Sequence, residues 1–185
     1  MAKLDIIGDC WREPLPSAYR VKLATDPWER RAAFALRRAV FCVEQQVFVE
    51  SDEDEIDSRA IPIVSVSYIG GLPDEITGTV RIHEEGTGVW HGSRLAVHPS
   101  HRRAGMLGPA LIRLAVSTAH ARGACAFFAH VQSANVPLFR RLHWRSLHEE
   151  LLHARPHHFM QADLDHYPPY HNGSEGFLAM KGVTA

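Results

Sequence analysis

Two arginines, Arg102 and Arg103, stand just before a pair of glycines, Gly105 and Gly108, in the stretch HPSHRRAGMLGPALI, residues 98–112. The apolar run that follows has helical spacing, so cations and glycines fall together at a helix N-terminus. There the first backbone N–H groups lack intrahelical partners and the helix dipole is positive. Glycines let a ligand approach the backbone closely. The combination suits a phosphate or pyrophosphate. The plain alternative is a tight strand-to-helix turn with solvated arginines. Familiar phosphate loops fit poorly. No Lys or Ser/Thr follows Gly108, as a P-loop requires, and the three glycines of a dinucleotide fingerprint are reduced to two. GMLG matches the GxxG of a KH module, but that loop joins two helices, and here a strand precedes it.

A second constellation lies upstream. Leu36, Val40, Val43 and Val47 recur at helical spacing, and Phe34, Phe41 and Phe48 recur every seven residues. On one helix these make two apolar stripes with Arg37 and Glu44 projecting between them. A carboxylate so placed is expected to have a raised pKa, useful for taking up a proton. An internal Arg37–Glu44 ion pair is the structural alternative. His130 ends an otherwise apolar strand and is a second proton acceptor, or a core histidine. Glu84 and Glu85 are weaker candidates, read as turn charges. The acidic run ESDEDEID (50–57) reads as a solvated charge cluster that could attract a cationic amine. His153, His157 and His158 lack the Cys or carboxylate spacing of a zinc site, so no metal is expected.

The elements that must position these groups follow from periodicity and punctuation. YRVKLA (19–24) alternates as a short strand. Thr25 or Asp26 caps a helix with Pro27 in its first turn, expected to run to Val47. Strands are expected at 61–69, 76–83 and 89–97, separated by glycine turns. A helix then runs to about Arg122 and ends near Gly123. ACAFFAHV (124–131) is apolar on both faces, as a buried inner strand is. A short helix over 135–142 and strands over 144–152 and 157–164 complete the order. Residues 1–18 read as an extension and 165–185 as a tail, mostly loop, around a single domain over 19–164. The fold class is α/β in the broad sense: a mixed, mostly antiparallel sheet flanked by helices.

Composition narrows the partners. The 185 residues are enough for one domain, and 45% hydrophobic content supports a core. A formal net charge of −1 supplies no basic field for nucleic acid or an anionic membrane. Three cysteines, Cys10, Cys42 and Cys125, form no CxxC pair and read as reduced thiols of a cytoplasmic protein, Cys42 and Cys125 in the core. The N-terminus lacks a secretory h-region, and no apolar run reaches membrane-span length.

RRAGMLG resembles the Arg/Gln-x-x-Gly-x-Gly/Ala pyrophosphate loop of the GCN5-related N-acetyltransferases (GNAT), and it sits between the fourth strand, SRLAVHP, and a long helix, as in that fold. LRRAVFCVEQ (36–45) is similar to the LRxxVFxxEQ first-helix signature of one branch of the superfamily. GTVRIHE resembles its third strand, and NVPLFRRLHW takes the place of its late helix. The whole chain most resembles the nitrogen-starvation GNAT proteins of bacterial nitrilase gene clusters. Two departures stand out: Leu107 occupies the second small position of the loop, displacing Gly108 by one, and Phe139 replaces the tyrosine that often serves as general acid.

The resemblance implies a GNAT fold and acyl transfer from acetyl-CoA to a small-molecule amine, by direct attack in a ternary complex. It implies that a bulge in the fourth strand aims the backbone of Leu95, Ala96 and Val97 at the pantetheine arm. Arg102, Arg103, Ala104, Gly105, Met106, Leu107 and Gly108 would hold the pyrophosphate, with Asn135 also on the cofactor. Glu44 is the first candidate base and His130 the second, and Arg37 would face the acceptor. No nucleic acid or membrane partner is expected; a homodimer is compatible with the reading. The alternatives are an acyl-homoserine-lactone-synthase-like acyltransferase, which shares the fold and an LRxxVF-type helix start, and a non-catalytic acyl-CoA sensor or partner subunit.

Overall fold

The computed structural model describes residues 18–179. Residues 1–17 of the expected N-terminal extension, with Cys10, and the last residues of the tail lie outside that range, while Ala18 already opens the first strand. Eight strands form one sheet in the order β6-β7-β5-β4-β3-β2-β1-β8. They span β1 Ala18–Leu23, β2 Ile61–Ile69, β3 Leu72–Gly86, β4 Val89–Val97, β5 Ala126–Gln132, β6 Trp144–Leu152, β7 Arg155–Ala162 and β8 Phe177–Ala179. Every neighbouring pair is antiparallel except β4 with β5. Helices α1 (Pro27–Arg38) and α2 (Leu107–Ala121) cover opposite faces, and α3 (Val136–Arg141) follows β5. Alternation along β2 separates the layers: Ile63 joins the core with Leu111 and Leu114 of α2, whereas Val64 and Val66 join Leu36 and Val40 on the α1 side. Among the described residues no helix is long and apolar enough to cross a membrane.

The start of α1 is fixed locally. Asp26 is the N-cap and Pro27 follows it, while the Glu29 carboxylate accepts from the backbone N–H groups of Thr25 and Asp26. The helix does not continue to Val47. From Ala39 to Glu44 the turn widens to a π-helix, and the Gln45 N–H reaches back five residues to the Val40 carbonyl. A wider turn advances each residue by a smaller angle, so the stripe read from α-spacing breaks. Val43 is 72% exposed, and Glu44 swings to the outer edge.

The sheet continues past residue 164. β8 pairs with β1 at the edge opposite β6, and Tyr167 is buried with its hydroxyl between the Trp144 indole N–H and the Leu142 carbonyl. Gly176 makes the return possible. Its φ is +65°, and a Cβ there would lie 1.9 Å from the Val21 carbonyl oxygen. Cys42 is buried, but Cys125, expected in the core, is exposed at the turn before β5.

Candidate active site

Strands β4 and β5 pair only from Val89–Ala126 to Gly92–Ala129. Beyond Gly92 they part, leaving Ser93–Val97 and His130–Gln132 on the two sides of a wedge. A bulge sharpens the divergence. The β3–β4 register shifts by one residue between Thr79–Ala96 and Arg81–Ser93, which leaves Arg94 and Leu95 opposite Val80. Arg94 has φ +55°, an unusual conformation for a non-glycine residue, and its side chain is held. It donates to the Asp52 carbonyl, pairs with Asp52 and Asp54, and lies 4.5 Å from the centre of the Phe48 ring.

One arm of the wedge leads to the glycine–arginine turn. Pro99–Ala104 form a 3-10 turn, Gly105 follows at φ +71°, and α2 begins at Leu107. A Cβ at Gly105 or Gly108 would meet nothing within 4 Å, so the space over this helix start is open. Leu107, the bulky residue at the second loop position, is 1% exposed and belongs to the α2 core beneath the groove that it helps to line. A groove runs from here along Leu95, Ala96 and Val97 to Asn135 and Phe139. Arg102 lies on it, donating to the Val97 carbonyl at 2.9 Å and to both oxygens of Glu44 at 2.6 Å.

The other end of the wedge opens into a cavity of about 250 Å³. Gln45, Leu95, Gln132, Asn135 and Phe139 line both the groove and the cavity, so the two are continuous through the gap in the sheet. Gln132 Nε2 donates to Gln45 Oε1 at 3.1 Å, and Arg155 donates to the Gln45 carbonyl. His130 is on the cavity wall. Its Nδ1 lies 2.5 Å from Glu150 Oε1 on β6, and its ring packs at 4.9 Å on Phe159 of the intervening β7.

The comparisons with known proteins fit this geometry. The family model for the acetyltransferase (GNAT) family matches residues 28–144, more than half of the chain. The chain belongs to the GNAT acetyltransferase family. Solved structures agree on the fold. A Lactobacillus plantarum chain described as an N-acetyltransferase superposes with TM-score 0.69 at 22% identity, covering 78% of this chain and 97% of that one. An acyl-CoA N-acyltransferase from Pseudomonas aeruginosa gives 0.60 at 18%, covering 78% and 99%. An aminoglycoside 6'-N-acetyltransferase complexed with coenzyme A gives 0.59 at 13%, covering 76% and 94%. A search of curated protein sequences finds no match.

Against the GNAT frame, the residues expected from sequence separate clearly. Leu95, Ala96, Val97, Arg102, Gly105, Leu107, Gly108 and Asn135 line the groove, and the exposed Arg103 and half-buried Met106 flank it. Glu44 is brought to the groove rather than to the cavity. Its hydrogen bonds from Arg102 hold its carboxyl below the usual range, the reverse of the expected rise, because the widened turn puts it beside a cation instead of between apolar stripes. Arg37, expected to face the acceptor, lines neither the cavity nor the groove. It is 4% exposed, with Nε on Asp52 at 2.7 Å and its two terminal nitrogens on Asp57 at 2.6 and 3.0 Å. Glu84 accepts from the Gly88 N–H within its turn, and Glu85 pairs with His91. His153 and His157 reach the cavity, whereas His158 meets Ser146. Among the described residues no group of three or more His, Cys, Asp or Glu side chains could hold a metal ion.

The acidic run is solvated only in part: Glu50, Glu53 and Glu55 are exposed, whereas its three aspartates are paired. Asp52 is 2% exposed, and Asp52, Asp54 and Asp57 are matched by Arg37, Arg81 and Arg94. Buried charges persist only when paired in this way. The network ties the α1–β2 connection to the bulge in β4 and so shapes one cavity wall through Val47 and Phe48.

The same network sets an acid limit. Hydrogen bonds from Arg81 hold the Asp54 carboxyl below the usual range. Burial would raise Asp57, but the hydrogen bonds from Arg37 and Arg81 outweigh it and leave this carboxyl far below that range. Carboxyls depressed in the fold give stability that is present above the unfolded carboxylate range, at about pH 4, and is lost as pH falls toward the folded values. Circular dichroism during acid titration should show stability falling below about pH 4, with a shallower fall in Asp57→Asn. An equal slope in the two proteins would remove Asp57 from this account.

Proposed function

We propose that the protein transfers an acyl group from an acyl-CoA thioester, with acetyl-CoA as the simplest donor, to a small-molecule amine by direct attack in a ternary complex. The observation that carries this reading is the continuity of the open helix start, the wedge and the cavity. An anionic donor can lie on the groove while its acyl end reaches a separate chamber. The N–H groups after Gly105, with Arg102 and Arg103, would meet the pyrophosphate. The backbone around Ala104 and Met106 would complete that turn, and Leu95, Ala96, Val97 and Asn135 would flank the pantetheine arm.

His130 is the base this geometry favours over Glu44, which is engaged by Arg102. A carboxylate can only accept, so the contact with Glu150 puts the proton on Nδ1 and leaves the lone pair on Nε2. The Nε2 atom takes a proton from the ammonium form of the acceptor and so frees its lone pair. The neutral amine then forms the C–N bond as the C–S bond breaks, and the second proton that nitrogen sheds on becoming an amide passes through water to the departing thiolate of coenzyme A. Phe139 cannot donate that proton, so the leaving group relies on solvent and backbone dipoles. Within the family we place the chain nearest the nitrogen-starvation GNAT proteins of nitrilase clusters, on the resemblance of the whole chain, and in the cytoplasm.

A panel of primary amines with acetyl-CoA, read by thiol release and mass of the acylated product, tests the reaction. One acceptor should give product and thiol in equal amounts. Binding of acetyl-CoA without turnover on any amine would favour the sensor reading. The donor site has its own test. A hydrogen bond to a charged group contributes about 1.5–3 kcal/mol, so Arg102→Ala with Arg103→Ala should weaken coenzyme A binding by roughly tenfold or more in calorimetry, with a smaller salt dependence. Unchanged affinity would remove the pyrophosphate from this turn.

A further inference from the structure

The cavity has two unlike halves. On the His130 side its wall carries Gln45, Ser93, Arg94, Gln132 and His153. On the α2 side it is closed by Ile112, Ala115, Val116, Phe127, Phe139 and Trp144, all buried. The strand β5 divides them, because Phe127, Ala129 and Val131 are buried on the α2 side while His130 is turned the other way. The apolar half offers no titratable group. Trp144 could have supplied a donor, but its indole N–H is taken by the Tyr167 hydroxyl at 3.0 Å. Only the ring faces inward, stacked edge-on with Phe127 and Phe139.

We infer that this apolar half is an acyl-chain pocket, and that the preferred donor is a coenzyme A thioester with an acyl group several carbons longer than acetyl. The inference rests on the coenzyme reading above and extends it to the identity of the acyl group. Size and polarity decide it. An apolar cavity of roughly 150 Å³ accepts benzene, with its six heavy atoms. The present cavity is about 250 Å³ across both halves, and an acetyl group brings three heavy atoms, too few to cover the six apolar side chains that close the α2 side. An amine that must present its nitrogen to His130 finds polar partners only in the other half. The groove joins the cavity at Gln45, Leu95, Gln132, Asn135 and Phe139, so a thioester entering from it reaches the apolar half past Phe139.

Calorimetric titration with coenzyme A and its acetyl, butyryl, hexanoyl and octanoyl thioesters tests the proposal without knowledge of the acceptor. Affinity should tighten from acetyl to hexanoyl by roughly fourfold for each methylene buried, then stop rising once the pocket is full. Ala115→Leu should abolish the gain for hexanoyl-CoA while leaving acetyl-CoA binding within about twofold. Val116→Ala should move the optimum to a longer chain. If coenzyme A and acetyl-CoA bind but the longer thioesters bind no more tightly, the pocket proposal is wrong and the coenzyme reading stands. If no thioester and no coenzyme A binds, the coenzyme reading fails and takes this inference with it.

Discussion

His130→Gln should lower the rate of acyl transfer to a confirmed acceptor by roughly 10²–10⁴, the usual contribution of a positioned general base. Coenzyme A affinity should stay close to the parent value, because His130 lines the cavity but not the groove. Glutamine keeps hydrogen-bonding capacity toward Glu150 and removes the proton acceptor. The pH profile of kcat/KM separates a base from a merely structural histidine. The parent and variant profiles should differ in shape if His130 is the base and coincide if it is structural. Glu150→Gln should give a smaller loss, since it disturbs the tautomer of His130 without removing the ring. A His130→Gln enzyme with parental rate and profile would mean that the site uses the free, deprotonated fraction of its amine and works by positioning alone.

Arg37→Ala should destabilise the fold by about 3–5 kcal/mol, the range for removing one partner from a buried ion pair. The Asp52 carboxylate beneath it is 2% exposed and keeps only Arg94, while Asp57 keeps only Arg81. For a domain of this size each kcal/mol moves Tm by about 2–4 °C, so a drop of roughly 10 °C is expected in a calorimetric scan. Glu44→Gln supplies the contrast. Its pair with Arg102 is exposed on both sides, and removing such a pair changes stability by about 1 kcal/mol or less. Equal losses in the two variants would show that burial is not what gives the Arg37 network its weight.

Much of this architecture was legible before any coordinates. Strands over 61–69 and 89–97 follow from glycine punctuation, a strand was expected over 144–152 as well, and all three appear with those limits. The glycine–arginine turn could be read because its chemistry is local: donors, cations and open backbone lie within seven residues. What escaped depended on partners distant in sequence. Asp52 and Asp54 look like solvent charges until β3 and β4 bring Arg81 and Arg94 against them, 27 to 42 residues away. The His130–Glu150 contact exists only because β7 inserts between β5 and β6 and lets the two side chains meet over Phe159. Glu44 was misplaced for a different reason. A single widened turn at Ala39–Glu44 rotates it away from the face that α-helical spacing assigns, and nothing in AVFCVE marks a π-helix. The apolar half of the cavity was hidden too, since Ile112, Val116 and Phe127 read as ordinary core until the gap beyond Gly92 gives them an empty neighbour.

The central claim is that coenzyme A lies across the parted strands, with its pyrophosphate on the start of α2 and its sulfur at the wedge. A crystal structure with coenzyme A bound tests it most directly. The account predicts pyrophosphate oxygens within hydrogen-bond distance of backbone N–H groups between Gly105 and Gly108, Arg102 turned from Glu44 toward them, and the thiol between Ser93–Leu95 and His130. Coenzyme A seated elsewhere, with the Arg102–Glu44 pair intact and the wedge empty, would contradict it.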